Sequence, residues 1–156
     1  MDLCQHKRTM SSQLWYHAKV LAILLLAMLY SLRPAEALEI VVNRNVSTNQ
    51  ITHSELQAIF TMRIRAWSDG QPIRVFVLGD NAPEQIEFSK KLLDIFPYQL
   101  RRYWDRLVFS GTGQAPIELT SPGEMYNRVA STPGAIGYLP TEHIGNQVRI
   151  IKVSNP

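Results

Sequence analysis

"ITHSELQAIFTMRIRAWSDGQPIRVFVL", residues 51–78, reads as a helix, a connector and a strand, and the fold class follows from how they are joined. Thr52 followed three residues later by Glu55 is a capping box, in which hydroxyl and carboxylate each accept from an orphan amide of the first turn. Ile51 and Leu56 stand at the matching hydrophobic-staple positions. A helix therefore starts after Thr52, and "IRVFVL" (73–78) is apolar enough to be a strand buried on both faces. Between them Arg63 and Arg65 alternate with apolar residues and read as surface groups, Trp67 reads as a ring closing the end of the core, and Asp69-Gly70 makes a turn.

Working outward, "LEIVVN" (38–43) is a second buried strand. "APEQIEFSKKLLDIF" (82–96) is a helix with Pro83 in its first turn, Glu84 and Glu87 early and Lys90 and Lys91 late, as the helix dipole prefers. Its Ile86, Leu92 and Leu93 are expected to face the sheet, and Asp80 and Asn81 suit a cap ahead of it. After Pro97, residues Leu100, Tyr103, Trp104 and Leu107 fall on one face of another helix. Arg101, Arg102, Asp105 and Arg106 take the opposite face, with Arg101 and Asp105 spaced as an ion pair. "SPGEMYNRVAST" (121–132) is a second capping box, Ser121 to Glu124, and "PGAIGYL" (133–139) and "QVRIIKV" (147–153) close the chain as strands. The order β-α-β-α-α-α-β-β predicts an α/β sheet covered by helices.

Residues 1–37 have a different character. His6, Lys7, Arg8, His17 and Lys19 precede the uncharged run "VLAILLLAMLYSL" (20–32), and Ala35 and Ala37 bracket Glu36 in an A-x-A site. That is a secretory signal, expected to be cleaved after Ala37, because thirteen uncharged residues fall short of the roughly twenty that span a bilayer. Cleavage takes away four of the 16 basic and two of the 13 acidic residues, leaving twelve against eleven. So nearly neutral a chain, with its basic residues scattered, argues against nucleic acid as a partner. The single cysteine leaves as well, which excludes a disulfide, a thiol nucleophile and a thiolate metal site. The expected domain is 38–156, one unit with one core.

Three segments in order, "ITHSELQAIFTMRIRAWSDGQPIRVFVL", "YWDRLVFSGTGQAP" (103–116) and "TPGAIGYL" (132–139), resemble the periplasmic phosphate-binding proteins of ABC transporters, specifically their small single-lobe relatives. The resemblance implies one lobe of a type II periplasmic-binding-protein-like fold, a central mixed sheet flanked by helices. It also implies a periplasmic location and half of a two-lobed ligand cleft. Two-lobed members carry an arginine and then Ser-Gly-Thr after the strand matched here by "VFV", where hydroxyl and amide donors at a helix start meet phosphate. In the ungapped placement Leu78 stands where the arginine would be, and Ala82, Pro83 and Glu84 stand for Ser-Gly-Thr. A cation and two hydroxyls are thus replaced by apolar groups and a carboxylate.

A separate candidate for anion binding is Arg106 with Ser110, Gly111, Thr112 and Gly113, where successive amides and two hydroxyls suit a nest. The same residues suit a helix C-cap at Gly111 followed by a loop. Neither His53 nor His143 has a second His or Cys at metal-ligand spacing, and no nucleophile elbow surrounds a serine, so neither an enzyme nor a cofactor is expected. Two functions follow. One is an exported solute-binding-like protein that takes phosphate or a similar oxyanion weakly. The other is a binding-protein lobe without a ligand, acting as a periplasmic interaction or regulatory module. The partners implied are phosphate or another oxyanion, and an ABC permease or another periplasmic protein, with no stable membrane insertion after cleavage.

Overall fold

The computed structural model describes Lys19, Leu21 and residues 37–154. The chain divides into one unit of Met1–Ala35 and another of Glu36–Pro156, and the sheet belongs to the second. The expected signal segment lies, apart from Lys19, Leu21 and Ala37, outside the described residues.

A five-stranded sheet runs in the order β4-β3-β5-β1-β6, where β1 is Leu38–Asn43, β3 Arg74–Leu78, β4 Ile117–Leu119, β5 Ala135–Pro140 and β6 Val148–Ile150. Strand β3 is parallel to β4 and β5, whereas β1 is antiparallel to β5 and β6, so the sheet is mixed. A two-stranded parallel pair joins β2 (Gln50–Thr52) to β7 (Lys152–Ser154). Strands β1 and β5 sit in the middle because their apolar residues allow burial on both faces: Ile40, Val41 and Val42 are buried, and so is every residue of β5. Gly137 of β5 lies against Met125 and Val129, where a Cβ would collide with both, so helix α4 (Pro122–Ser131) crosses the strand at close range.

Helix α1 (His53–Phe60) starts as its sequence predicts. Thr52 Oγ1 accepts from the Glu55 amide at 3.2 Å, and the Glu55 carboxylate accepts from the Thr52 amide at 2.7 Å. Ser121 likewise accepts from the Glu124 amide, but Glu124 reaches one residue farther back, to the amide and hydroxyl of Thr120. Hydrogen bonds from the Thr52 and Thr120 amides hold the Glu55 and Glu124 carboxyls below the usual carboxylate range. A folded-state value below the unfolded one stabilises above the ordinary carboxylate pKa, and that stability is lost as pH falls through the folded value. Thr52→Ala keeps the amide but removes the hydroxyl that accepts from the Glu55 amide and donates to the Glu55 carboxylate at 2.9 Å, and loss of that cap should cost about 1 kcal/mol at neutral pH. Its unfolding midpoint, followed by circular dichroism, should fall less steeply with acid than that of the parent; an unchanged neutral-pH midpoint would remove the cap from the account.

The second helix departs from expectation. Its α-helical part, α2, spans only Pro83–Glu87 and continues as a π turn over Phe88–Leu92. The wider turn rotates the register, so Gln85, Phe88, Ser89 and Leu93 are buried while Ile86 and Leu92 are half-buried. No side chain caps α2; Ala82 is the cap residue, and Asp80 is bonded elsewhere. Helix α3 (Pro97–Phe109) buries Leu100 and Trp104, as its stripe predicts, but leaves Tyr103 48% exposed. The closing run "QVRIIKV" is two strands, because the chain passes at Ile151 from the edge of β1 to the side of β2. Strands β2 and β4, three residues each, are too short to show alternation in sequence.

Trp67 is the connector's anchor. Its ring is buried, and its indole N–H donates to the Gly134 carbonyl at 3.0 Å. That carbonyl also accepts from the Arg74 amide at the start of β3, and the Gly134 amide donates to Asn45 Oδ1. The turn beyond Trp67 has Gly70 at φ +84°, with Asp69 accepting from the Gln71 amide and the Ser47 hydroxyl.

Candidate functional site

In open α/β sheets, ligands collect outside the carboxyl ends of parallel strands. Here that position lies beyond Leu78 of β3 and Leu119 of β4, which are register partners. Leu78 is buried, and its amide donates to the Tyr138 hydroxyl at 2.8 Å; that hydroxyl in turn donates to Gln85 Oε1. Burial pushes the Tyr138 phenol up, which keeps it neutral and a donor. The chain then turns through Gly79 to Asp80, with Glu118 of β4 alongside: a Cβ on Gly79 would stand 3.3 Å from a Glu118 oxygen.

Arg101, from the first turns of α3, reaches this place. Its Nε and Nη2 donate to the two oxygens of Asp80 at 2.8 and 2.9 Å, and Nη2 also donates to Glu118 at 3.0 Å. The hydrogen bond to Asp80, followed by that to Glu118, raises the guanidinium pKa, so it stays cationic throughout. The guanidinium also lies 5.3 Å from the centre of the Trp104 ring. Arg101 is thus paired with Asp80 and Glu118, not with Asp105 as spacing along the helix suggested, because the sheet brings two carboxylates within bidentate reach. Two carboxylates around one guanidinium leave the cluster at −1. Its partners are the kind an oxyanion would otherwise replace, and an incoming phosphate would meet repulsion.

Loop residues 110–113 follow α3 at the other end of the helix. The Ser110 amide donates to Arg106 and Val108, that of Gly111 to Val108, and those of Thr112 and Gly113 to Leu107. Gly111, at φ +66°, stops the helix in the left-handed conformation that glycine permits. The Ser110 and Thr112 hydroxyls bond each other at 2.8 Å. The four amides thus point back into the helix end. Gly111, Thr112 and Gly113 line a groove of about 530 Å³ together with Arg65 and Arg74. Arg65 is exposed, as a surface group should be, and its Nη2 donates to the Thr112 carbonyl at 3.1 Å, which ties it to the loop. Arg106 lines a different cavity, of about 260 Å³, with Ile95, Gln99, Arg102 and Tyr103. Of the five candidate anion ligands, Gly111, Thr112 and Gly113 line one concavity, Arg106 lines the other, and Ser110 lines neither.

Among the described residues no three His, Cys, Asp or Glu side chains lie close enough to hold a metal, and no helix is long and apolar enough to cross a membrane. His143 faces its neighbour Glu142 at 3.6 Å.

Residues 35–150 match the family described as the PBP superfamily domain. Among solved structures the chain is similar to PstS from Borrelia burgdorferi, at 21% identity and a TM-score of 0.61, covering 76% of this chain and 47% of that one. It is similar to a putative phosphate ABC transporter substrate-binding protein with bound phosphate from Clostridium perfringens, at 18% identity and a TM-score of 0.61, over 74% and 44% of the two chains. An ABC-type phosphate transport receptor from Vibrio cholerae aligns at 18% identity and a TM-score of 0.58, over 74% and 45%. The chain spans less than half the length of each of these proteins, and at such identities the likeness is one of fold. No curated protein matches it.

Proposed function

Because the chain belongs to the PBP superfamily domain family, we propose that it is an exported, non-catalytic binding-protein lobe that works in the periplasm as an interaction or regulatory module, not as a high-affinity phosphate carrier. The observation that carries this reading is the Asp80–Arg101–Glu118 cluster at the strand ends. A dianion has to recover its lost hydration from charged and hydrogen-bonding donors. Here Arg101 already serves two of the chain's own carboxylates, Leu78 is apolar, and Pro83 has no amide hydrogen. The partner in this reading is an ABC permease or another periplasmic protein.

Calorimetric titration with inorganic phosphate tests it. The purified chain should bind more weakly than about 1 mM, near −4 kcal/mol. Submicromolar binding would overturn the proposal. In the variant Asp80→Asn with Glu118→Gln, Arg101 is released and phosphate affinity should rise by about tenfold, roughly the 1.4 kcal/mol that one charge-assisted contact supplies.

The groove lined by Arg65, Arg74 and Gly111–Gly113 favours a second reading, weak oxyanion binding at the loop with the two guanidiniums and the Thr112 hydroxyl as donors and Ser110 supporting Thr112 from outside the groove. Millimolar binding that persists in Asp80→Ala and disappears in Arg65→Ala with Thr112→Ala would support it. Loss of that binding in Arg106→Ala alone would assign it instead to the neighbouring cavity.

A further inference from the structure

Exposed large apolar side chains are not scattered evenly over residues 37–154. Of the eight described there, Phe96, Tyr98, Tyr103, Val108 and Phe109 all belong to α3 or its cap. Phe96 and Tyr98 stack with ring centres 5.9 Å apart. Beside them the cavity of about 260 Å³ is lined by Ile95, Gln99, Arg102, Tyr103 and Arg106. Arg102 and Arg106 stand one helical turn apart and form no ion pair among the described residues, whereas Arg101 on the same helix has two carboxylate partners. The nearest acid in sequence, Asp105, is exposed on the same helix but neither lines this cavity nor pairs with either arginine, Glu87 is bonded to Lys91, and Asp94 lines a separate hollow with Lys90 and Phe96.

We propose that this face of α3 is the docking surface of the lobe, and that it takes an acidic segment of a partner protein, a carboxylate entering between Arg102 and Arg106 with an apolar side chain packed on Tyr103 and Ile95. The proposal rests on the interaction-module reading above and names its partner by chemistry. Aromatic and arginine side chains are the residues that dominate binding at protein interfaces, since they bury large areas and present fixed donors. The arginine fork matches a carboxylate in two-point geometry, and among the described residues the cavity lining holds two unpaired guanidiniums and no acid, so charge complementarity favours an acidic occupant. Tyr103 is 48% exposed and Phe109 87% exposed, an arrangement that stability alone does not explain.

The test is selection of a phage-displayed random peptide library on the immobilised exported protein, with Arg102→Glu/Arg106→Glu and Tyr103→Ala as parallel targets. All three side chains lie at the surface, and matching circular dichroism and melting temperatures verify that the variants fold. The parent should enrich peptides with Asp or Glu beside an aromatic or aliphatic residue. The charge-reversed variant should lose that enrichment at least tenfold, and Tyr103→Ala should lose the apolar preference. Absence of enrichment, selection of basic or uncharged peptides, or equal selection by the charge-reversed variant would overturn the proposal. Sedimentation with phosphatidylglycerol vesicles in place of peptide selection would overturn it in favour of a membrane surface. Submicromolar phosphate binding would instead overturn the ligand-free lobe while leaving the peptide result standing, so the two failures are distinguishable.

Discussion

Trp104→Ala should destabilise the protein by about 3–5 kcal/mol, the range for removing a buried indole from a packed core. Trp104 is 1% exposed, and its indole N–H donates to the Phe60 carbonyl at 2.8 Å, so the ring joins α3 to the last residue of α1. Alanine leaves both a cavity and a buried carbonyl without its donor. For a domain between about 100 and 150 residues each kcal/mol is worth roughly 4 °C, so the melting temperature should drop by on the order of 10–20 °C. Trp104→Phe keeps most of the volume and should recover more than half of the loss. A melting temperature within a few degrees of the parent for Trp104→Ala would contradict the packing described here.

Gly134→Ala should cost about 3 kcal/mol or more. The residue has φ +73°, a conformation that costs a side-chain-bearing residue about 1–3 kcal/mol. A Cβ would also land on the backbone carbonyl of Pro72, which cannot move without displacing the start of β3, and overpacking of that kind adds a cost of similar size. The same carbonyl group of Gly134 holds the Trp67 indole and the Arg74 amide, so the disturbance reaches both. Gly70→Ala is the matched control: φ is +84°, but open space surrounds the position, so only the conformational term applies. Urea unfolding midpoints of the two variants should therefore differ clearly, and equal midpoints would refute the steric part.

The connector "AWSDG" (66–70) and "PGAIGY" (133–138) belong to two of the segments that carry the resemblance. The two elements are separated by 67 residues in sequence from Trp67 to Gly134 and meet in one hydrogen bond. The contact needs an indole donor at 67 but only a backbone carbonyl at 134, where glycine is required by the positive φ and the nearby Pro72 carbonyl.

What the sequence determined by itself is what short-range physics controls. The capping pair Thr52 and Glu55, the doubly buried strands of "LEIVVN" and "IRVFVL", and the Leu100–Trp104 stripe each depend on residues a few positions apart, and all appear in the structure. The α/β class follows from their order. The tertiary structure decided the pairings that cross the sheet. Asp105 is one turn from Arg101, but Asp80 and Glu118 stand 21 and 17 residues away and become neighbours only because β3 and β4 lie side by side. A surface pair along a helix is worth a few tenths of a kcal/mol and yields readily to a bidentate carboxylate in a partly buried corner. The glycines of 111–113 likewise look like donors in sequence, yet the end of α3 supplies carbonyls that take their amides first, since a helix terminus must satisfy its own backbone before it can serve a ligand.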